Sequence, residues 1–161
     1  MTEFKSITDT IREMLESAEY RFQYNEEGNV FILGMNIPSK LSSVRCFLRE
    51  TSYGFWVNSV SPINGDPNNK EMMRTLAELI TRINYPINLV KFSMDHKDGE
   101  LRCEIDYPCM DEFKPSPELV HAMLAFTTRT WTKFAPCFLS VIFGGKSAEE
   151  ALKDAAEDSD D

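Results

Sequence analysis

Histidine occurs only twice in 161 residues, and neither copy sits in an H-x-x-x-H or H-E-x-x-H pattern. The ligand spacing of a transition-metal site is therefore missing. Cys46, Cys103, Cys109 and Cys137 form no C-x-x-C pair and have no histidine at zinc-finger spacing, so each is expected to be a buried thiol acting as a small hydrophobe. Basic residues are scarce: 17 Lys and Arg face 26 Asp and Glu, a formal net charge of −9. Nucleic-acid and anionic-membrane surfaces need basic patches, and neither partner is expected. No Gly-rich loop follows a strand-like run, and Gly144-Gly145 falls after a helical pattern, the wrong end of the dipole for an anion. G-x-S-x-G is absent. The longest apolar stretch, around "APCFLSVIFGG", is too short to cross a bilayer. "MTEFKSITDTIREMLESAEY" lacks the basic segment and apolar core of a secretory signal. A cytoplasmic protein with reduced thiols is expected.

Hydrophobic residues make up 42% of the chain, enough for one domain with its own core. Ile7, Ile11, Met14, Leu15 and Ala18 mark a first helix, capped by Ser6 or Thr8. "YRFQYN" alternates as a half-buried strand, and "EEGNV" turns the chain into "VFILGMNI", which is apolar on both faces. "SVRCFLRE" sets Val44, Cys46 and Leu48 on one face and Arg45, Phe47 and Arg49 on the other; "FWVNSV" follows the turn "TSYG". The loop "PINGDPNN" leads to a helix with Met72, Met73, Leu76, Ala77, Leu79, Ile80 and Ile83, capped by Asn68 or Asn69 and ended by Pro86.

"INLVKFSM" and "ELRCEIDY" read as a hairpin around Asp98-Gly99. "PCMDEFKPSPE" is a loop whose Ser116-Pro117 starts a long apolar helix that includes Leu119, Phe126, Trp131 and Phe138. Pro136 is expected to kink it near Thr132, and Gly144-Gly145 to stop it. Ser147 and Glu150 make a capping box for a short terminal helix. The expected fold is α+β: an antiparallel sheet of about five strands packed against helices, in the order α-β-β-β-(β)-α-β-β-α-α. Residues 1–146 form the single domain, and 147–161 a short helix and a solvated acidic tail.

"FSMDHKDGELRCEIDY" is the one place where chemistry-bearing side chains crowd together. General acid–base work needs a cleft and a partner that fixes the tautomer. His96, with Asp95, Lys97 and Asp98, belongs to an exposed hairpin tip instead. His121 falls on the polar side of the long helix. Asp154, Glu157, Asp158, Asp160 and Asp161 lack the loop spacing and central Gly of an EF-hand. No catalytic, cofactor-binding or metal residue is assigned. Eight methionines, with Met72-Met73 among them, and Trp56 and Trp131 read first as core; an exposed tryptophan would be an interface anchor.

"LITRINYPINLVKFSMDHKDGELRCEIDYP" resembles the second half of YbjN-like domains, in which a helix ending in Asn leads into a hairpin with an Asp-Gly-Glu turn followed by Leu or Ile. "SPELVHAMLAFTTRTWTKFAPCFLSVIFGGKSAEEALKDA" continues the resemblance, through Ser-Pro-Glu, an aromatic two before Pro136, and Gly-Gly followed by Ser-Ala-Glu-Glu-Ala-Leu. The similarity covers most of the chain and is best after Met72. It implies a type III secretion chaperone-like fold, a homodimer, a habit of binding polypeptide and a role among regulators of bacterial sensory transduction. It implies no reaction and carries over no functional residue. A non-enzymatic, cytoplasmic protein-binding or regulatory protein is the first expectation. A small-molecule sensor or enzyme with a pocket between sheet and helices is the alternative.

Overall fold

The computed structural model describes residues 5–109 and 114–156. Helix α1, Ile7–Ser17, starts at Ser6, whose hydroxyl accepts from the Asp9 N–H while the Asp9 carboxylate accepts from the Ser6 N–H, each at 3.0 Å. Those bonds from Ser6 hold the Asp9 carboxyl below the usual carboxylate range. The Thr8 N–H and hydroxyl both donate to the Glu50 carboxylate. A negative group from the sheet thus satisfies a free donor at the positive end of the helix. Ile7, Ile11, Met14 and Leu15 face inwards, as their spacing predicts, whereas Ala18, read into the same stripe, is the exposed C-cap.

Four strands follow: β1 (Gln23–Asn25), β2 (Val30–Asn36), β3 (Ser43–Thr51) and β4 (Gly54–Val60). Helix α2, Lys70–Asn84, capped by Asn69, separates them from β5 (Lys91–Met94) and β6 (Leu101–Pro108). The six strands form one antiparallel sheet in the order β1-β2-β3-β4-β6-β5, with β4 a full member. The hairpin β5–β6 joins through β6, which leaves β5 on an edge. Long helix α3, Pro117–Ile142, begins at Ser116 with Pro at its first turn and runs on through Pro136. Gly145, at φ +62°, takes the left-handed conformation just past its end.

Register and burial together fix where the helices lie. Phe31, Leu48, Val57 and Ile105 stand in one cross-strand row, and Leu33, Cys46, Ser59, Cys103 and Phe92 in the next. All are buried, and all point to one face. Against them α1 places Ile11 and Leu15, α2 places Leu76, Leu79 and Ile83, and α3 places Val120, Leu124, Trp131 and Phe138. The Phe92 ring lies 4.8 Å from Trp131 and 4.9 Å from Phe138, centroid to centroid. Met14, Met73 and Met123 fill gaps in this core, whereas Met1 and Met110 lie outside the described residues. Phe126, counted above in the apolar stripe of the long helix, is instead 39% exposed. It belongs to the flank of α3, because a stripe of buried residues covers only part of a helix's circumference.

Helix α4, Ala148–Leu152, stacks on α2 and α3 and buries Ala148 and Ala151. Asp154 clasps it from behind, accepting from the Ser140 hydroxyl and the Lys146 ammonium, each at 2.6 Å. Those two partners, Lys146 first, keep the Asp154 carboxyl low. The 62–69 loop docks on the β5–β6 tip through two glycines. Gly65 N–H donates to the Gly99 carbonyl at 2.9 Å, and a Cβ on Gly99 (φ +76°) would overlap the Gly65 backbone.

Candidate functional site

The cluster at the β5–β6 tip forms a turn. The Asp95 carboxylate accepts from the Lys97 N–H at 2.8 Å and Asp98 from the Glu100 N–H at 2.9 Å. Short polar side chains bonding their own backbone two residues on is the chemistry of an Asx turn, and His96 stands exposed beside them. His121 is exposed on α3, with its Nε2 3.2 Å from the Tyr20 hydroxyl. His96 belongs to the β5–β6 turn and His121 to α3, and both are exposed. Of the acidic residues weighed as a calcium site, Asp154 serves the α4 clasp; Glu157, Asp158, Asp160 and Asp161 lie outside the described residues. No group of three or more His, Cys, Asp or Glu among the described residues could hold a metal ion.

A second cluster is internal, and the sequence pattern does not announce it. Cys46, Ser59 and Cys103 are adjacent in one row across β3, β4 and β6. The Ser59 hydroxyl lies 2.6 Å from that of Thr127 on α3 and 3.4 Å from the Cys46 sulfur; the Trp131 indole N–H donates to the Ser59 carbonyl at 2.8 Å. A thiol between hydroxyls invites comparison with a nucleophile. Burial decides otherwise, because it penalises the thiolate. It raises Cys46 to about 11 against a hydrogen bond from Ser59 that lowers it, and it also raises Cys103. These groups are protonated, dry and satisfied, so their role is to fix helix against sheet.

The face turned away from the helices is different. Antiparallel sheets with one covered face usually alternate apolar inwards and polar outwards. Here the outward positions hold Val30 and Ile32 on β2, Phe47 on β3, and Trp56 and Val60 on β4, all half-buried, with no helix among the described residues above them. Trp131 is fully buried, so Trp56 is the tryptophan that meets the surface. Arg45 and Arg49 flank Phe47 and are exposed. The register sets Arg49 between Val30 and Trp56, Phe47 between Ile32 and Asn58, and Arg45 between Gly34 and Val60. A groove of about 580 Å³ opens at the Arg45 end, lined by Gly34, Phe47, Val60 and Glu100 among others.

The sequence carried a signal for this face: an apolar residue between two arginines at alternate positions, and a glycine inside an apolar strand with no turn around it. Smaller concavities lie beside α3. One of about 290 Å³ is bounded by Leu89 and Phe126, and one of about 350 Å³ lies between the start of α2 and the end of α3. Compared with protein families, curated proteins and solved structures, the chain matches none. No helix among the described residues is long and apolar enough to cross a membrane.

Proposed function

We propose that this chain is a non-enzymatic protein-binding module, YbjN-like and secretion-chaperone-like in kind, working in the cytoplasm as a homodimer with a regulatory or chaperone-like role. One observation carries the reading: Val30, Ile32, Phe47, Trp56 and Val60, interspersed with Arg45 and Arg49, lie on a face of β2, β3 and β4 that no helix among the described residues covers. Apolar area kept in contact with water is costly, and patches of this kind mark interaction surfaces. The non-enzymatic half is supported by the separation of the two histidines and by the protonated state of the buried thiols. The homodimer and the family assignment rest on the resemblance. The other reading, a pocket between sheet and helices, has less behind it, since Trp131, Phe92 and Phe138 fill that interface.

The test uses the full chain as bait in extracts of its own cells, beside a Phe47→Asp/Trp56→Asp variant with an unchanged circular dichroism spectrum. A protein held by the first and lost by the second supports the binding face. Identical captured sets would remove it. Sedimentation equilibrium tests the dimer separately, with twice the monomer mass as the expected result.

A further inference from the structure

We propose that the outward face of β3 reads an extended polypeptide segment of the pattern acid–x–apolar–x–acid, which rests on the binding-module reading and gives its partner a chemistry. Arg45, Phe47 and Arg49 occupy alternate positions of one strand, so about 6.6–6.8 Å separates successive side chains. An extended segment lying along β3 has the same period. Its carboxylates at positions i and i+4 meet the two guanidiniums, and the apolar side chain at i+2 meets Phe47.

Charge on the face favours this occupant. Arg102 is engaged with Glu104 at 3.0 Å and with Ser93 at 3.0 Å. Lys91 donates to the Asn84 and Ile87 carbonyls, and Asp106 accepts from the Tyr53 hydroxyl at 3.3 Å. Among the described residues, Arg45 and Arg49 have no hydrogen-bond or ion-pair partner. Two unengaged guanidiniums, a local exception on a chain of net charge −9, offer an acidic ligand charge-assisted hydrogen bonds.

Gly34 is the independent sign that something comes close. Glycine inside a strand weakens it and is ordinarily required by a left-handed conformation or a crowded backbone. Gly34 has neither: its φ is not positive, and a Cβ there would meet nothing within 4 Å. It sits directly across from Arg45, in the wall of the groove. The chain by itself does not need this glycine, whereas the backbone of a segment settling beside Arg45 does.

An array of nonapeptides Gly-Ser-x-Ser-Φ-Ser-x-Ser-Gly tests this with the full-length protein, x being Asp, Lys or Ser and Φ being Leu, Phe or Ser. The Asp-x-Leu-x-Asp and Asp-x-Phe-x-Asp peptides should bind at least ten-fold more strongly than their Lys counterparts. Arg45→Glu/Arg49→Glu should reverse that order without changing the melting temperature. Gly34→Val should leave the melting temperature unchanged or raise it, yet weaken Asp-peptide binding at least ten-fold. Binding that ignores flanking charge but is lost in Phe47→Ser would overturn the acidic pattern and leave the binding module standing. An acid preference that survives the arginine reversal, or tighter binding of a dT12 oligonucleotide, would overturn it as well. Sedimentation showing that Phe47→Asp turns a dimer into a monomer would assign the face to a second copy and end the proposal. If no peptide binds and Phe47→Asp/Trp56→Asp leaves cellular capture unchanged, both readings fall together.

Discussion

The Asn84 carboxamide pairs with the backbone of Phe92 as a neighbouring strand would: its oxygen accepts from the Phe92 N–H at 2.8 Å, and its nitrogen donates to the Phe92 carbonyl at 2.9 Å. Phe92 is in the edge strand β5, and its amide groups point away from β6. Unpaired edges template pairing with other chains, and covering them suppresses aggregation. Asn84→Ala should therefore cost about 1–2 kcal/mol in urea unfolding and make light scattering rise with concentration. Asn84→Asp keeps the acceptor but sets a carboxylate oxygen against the Phe92 carbonyl. The new carboxyl would then have a folded pKa above its unfolded value. The variant should gain stability as pH falls through that range and lose it again as pH rises.

Trp131 joins helix to sheet in two ways, through its ring against Phe92 and Phe138 and through its indole N–H on the Ser59 carbonyl. Trp131→Phe should remove the second and leave a cavity, lowering stability by about 2–3 kcal/mol. Phe134→Leu, on the side chain that is 8% exposed next to it, should cost less. Chemical denaturation of both variants checks the order.

Why the sequence yields the fold and not the site is visible in single residues. Periodicity places Ile11, Leu79 and Cys103 correctly because hydrophobic spacing directly reports a buried face. Ser6, Ser116 and Ser147 cap where they should, since a cap is a local bargain between neighbours. Phe47 falls with Arg45 and Arg49 on the far face of its strand, whereas Trp56 is apolar and reads as core. Only the register, with the described helices on the opposite face, makes Trp56 surface. The Ser59–Thr127 contact spans 68 positions, and no local pattern anticipates it.

Burial of Cys46 has a consequence at high pH. Its thiol is raised from 9.0 to about 11, so the folded chain holds that proton where the unfolded chain releases it. Stability from this group is complete below pH 9 and falls as pH rises towards 11, by about 1.4 kcal/mol per pH unit. Cys46→Val should flatten that part of the alkaline decline. The measurement is the difference between wild-type and variant denaturation between pH 8 and pH 10. Half-buried Cys109 should be the first thiol modified by a thiol reagent in the folded chain, because Cys46, Cys103 and Cys137 are fully covered.

The end of the described chain ties back to the proline in α3. Pro136 has no N–H, so the Thr132 carbonyl loses its helical donor. One residue along, the Lys133 carbonyl accepts from the Ala156 N–H at 2.9 Å. Between that bond and the Asp154 clasp, α4 is held with Ala148 and Ala151 at 1% and 0% exposure. Ending the chain after Lys146 would remove both anchors and uncover the apolar groups beneath. A loss of about 2–4 kcal/mol is expected from the area exposed. Asp154→Ala keeps α4 and loses only the clasp, so a far smaller cost is expected from it. Equal stability of the truncated and full-length chains in urea would mean that α4 is an appendage, and that the core closes at Lys146.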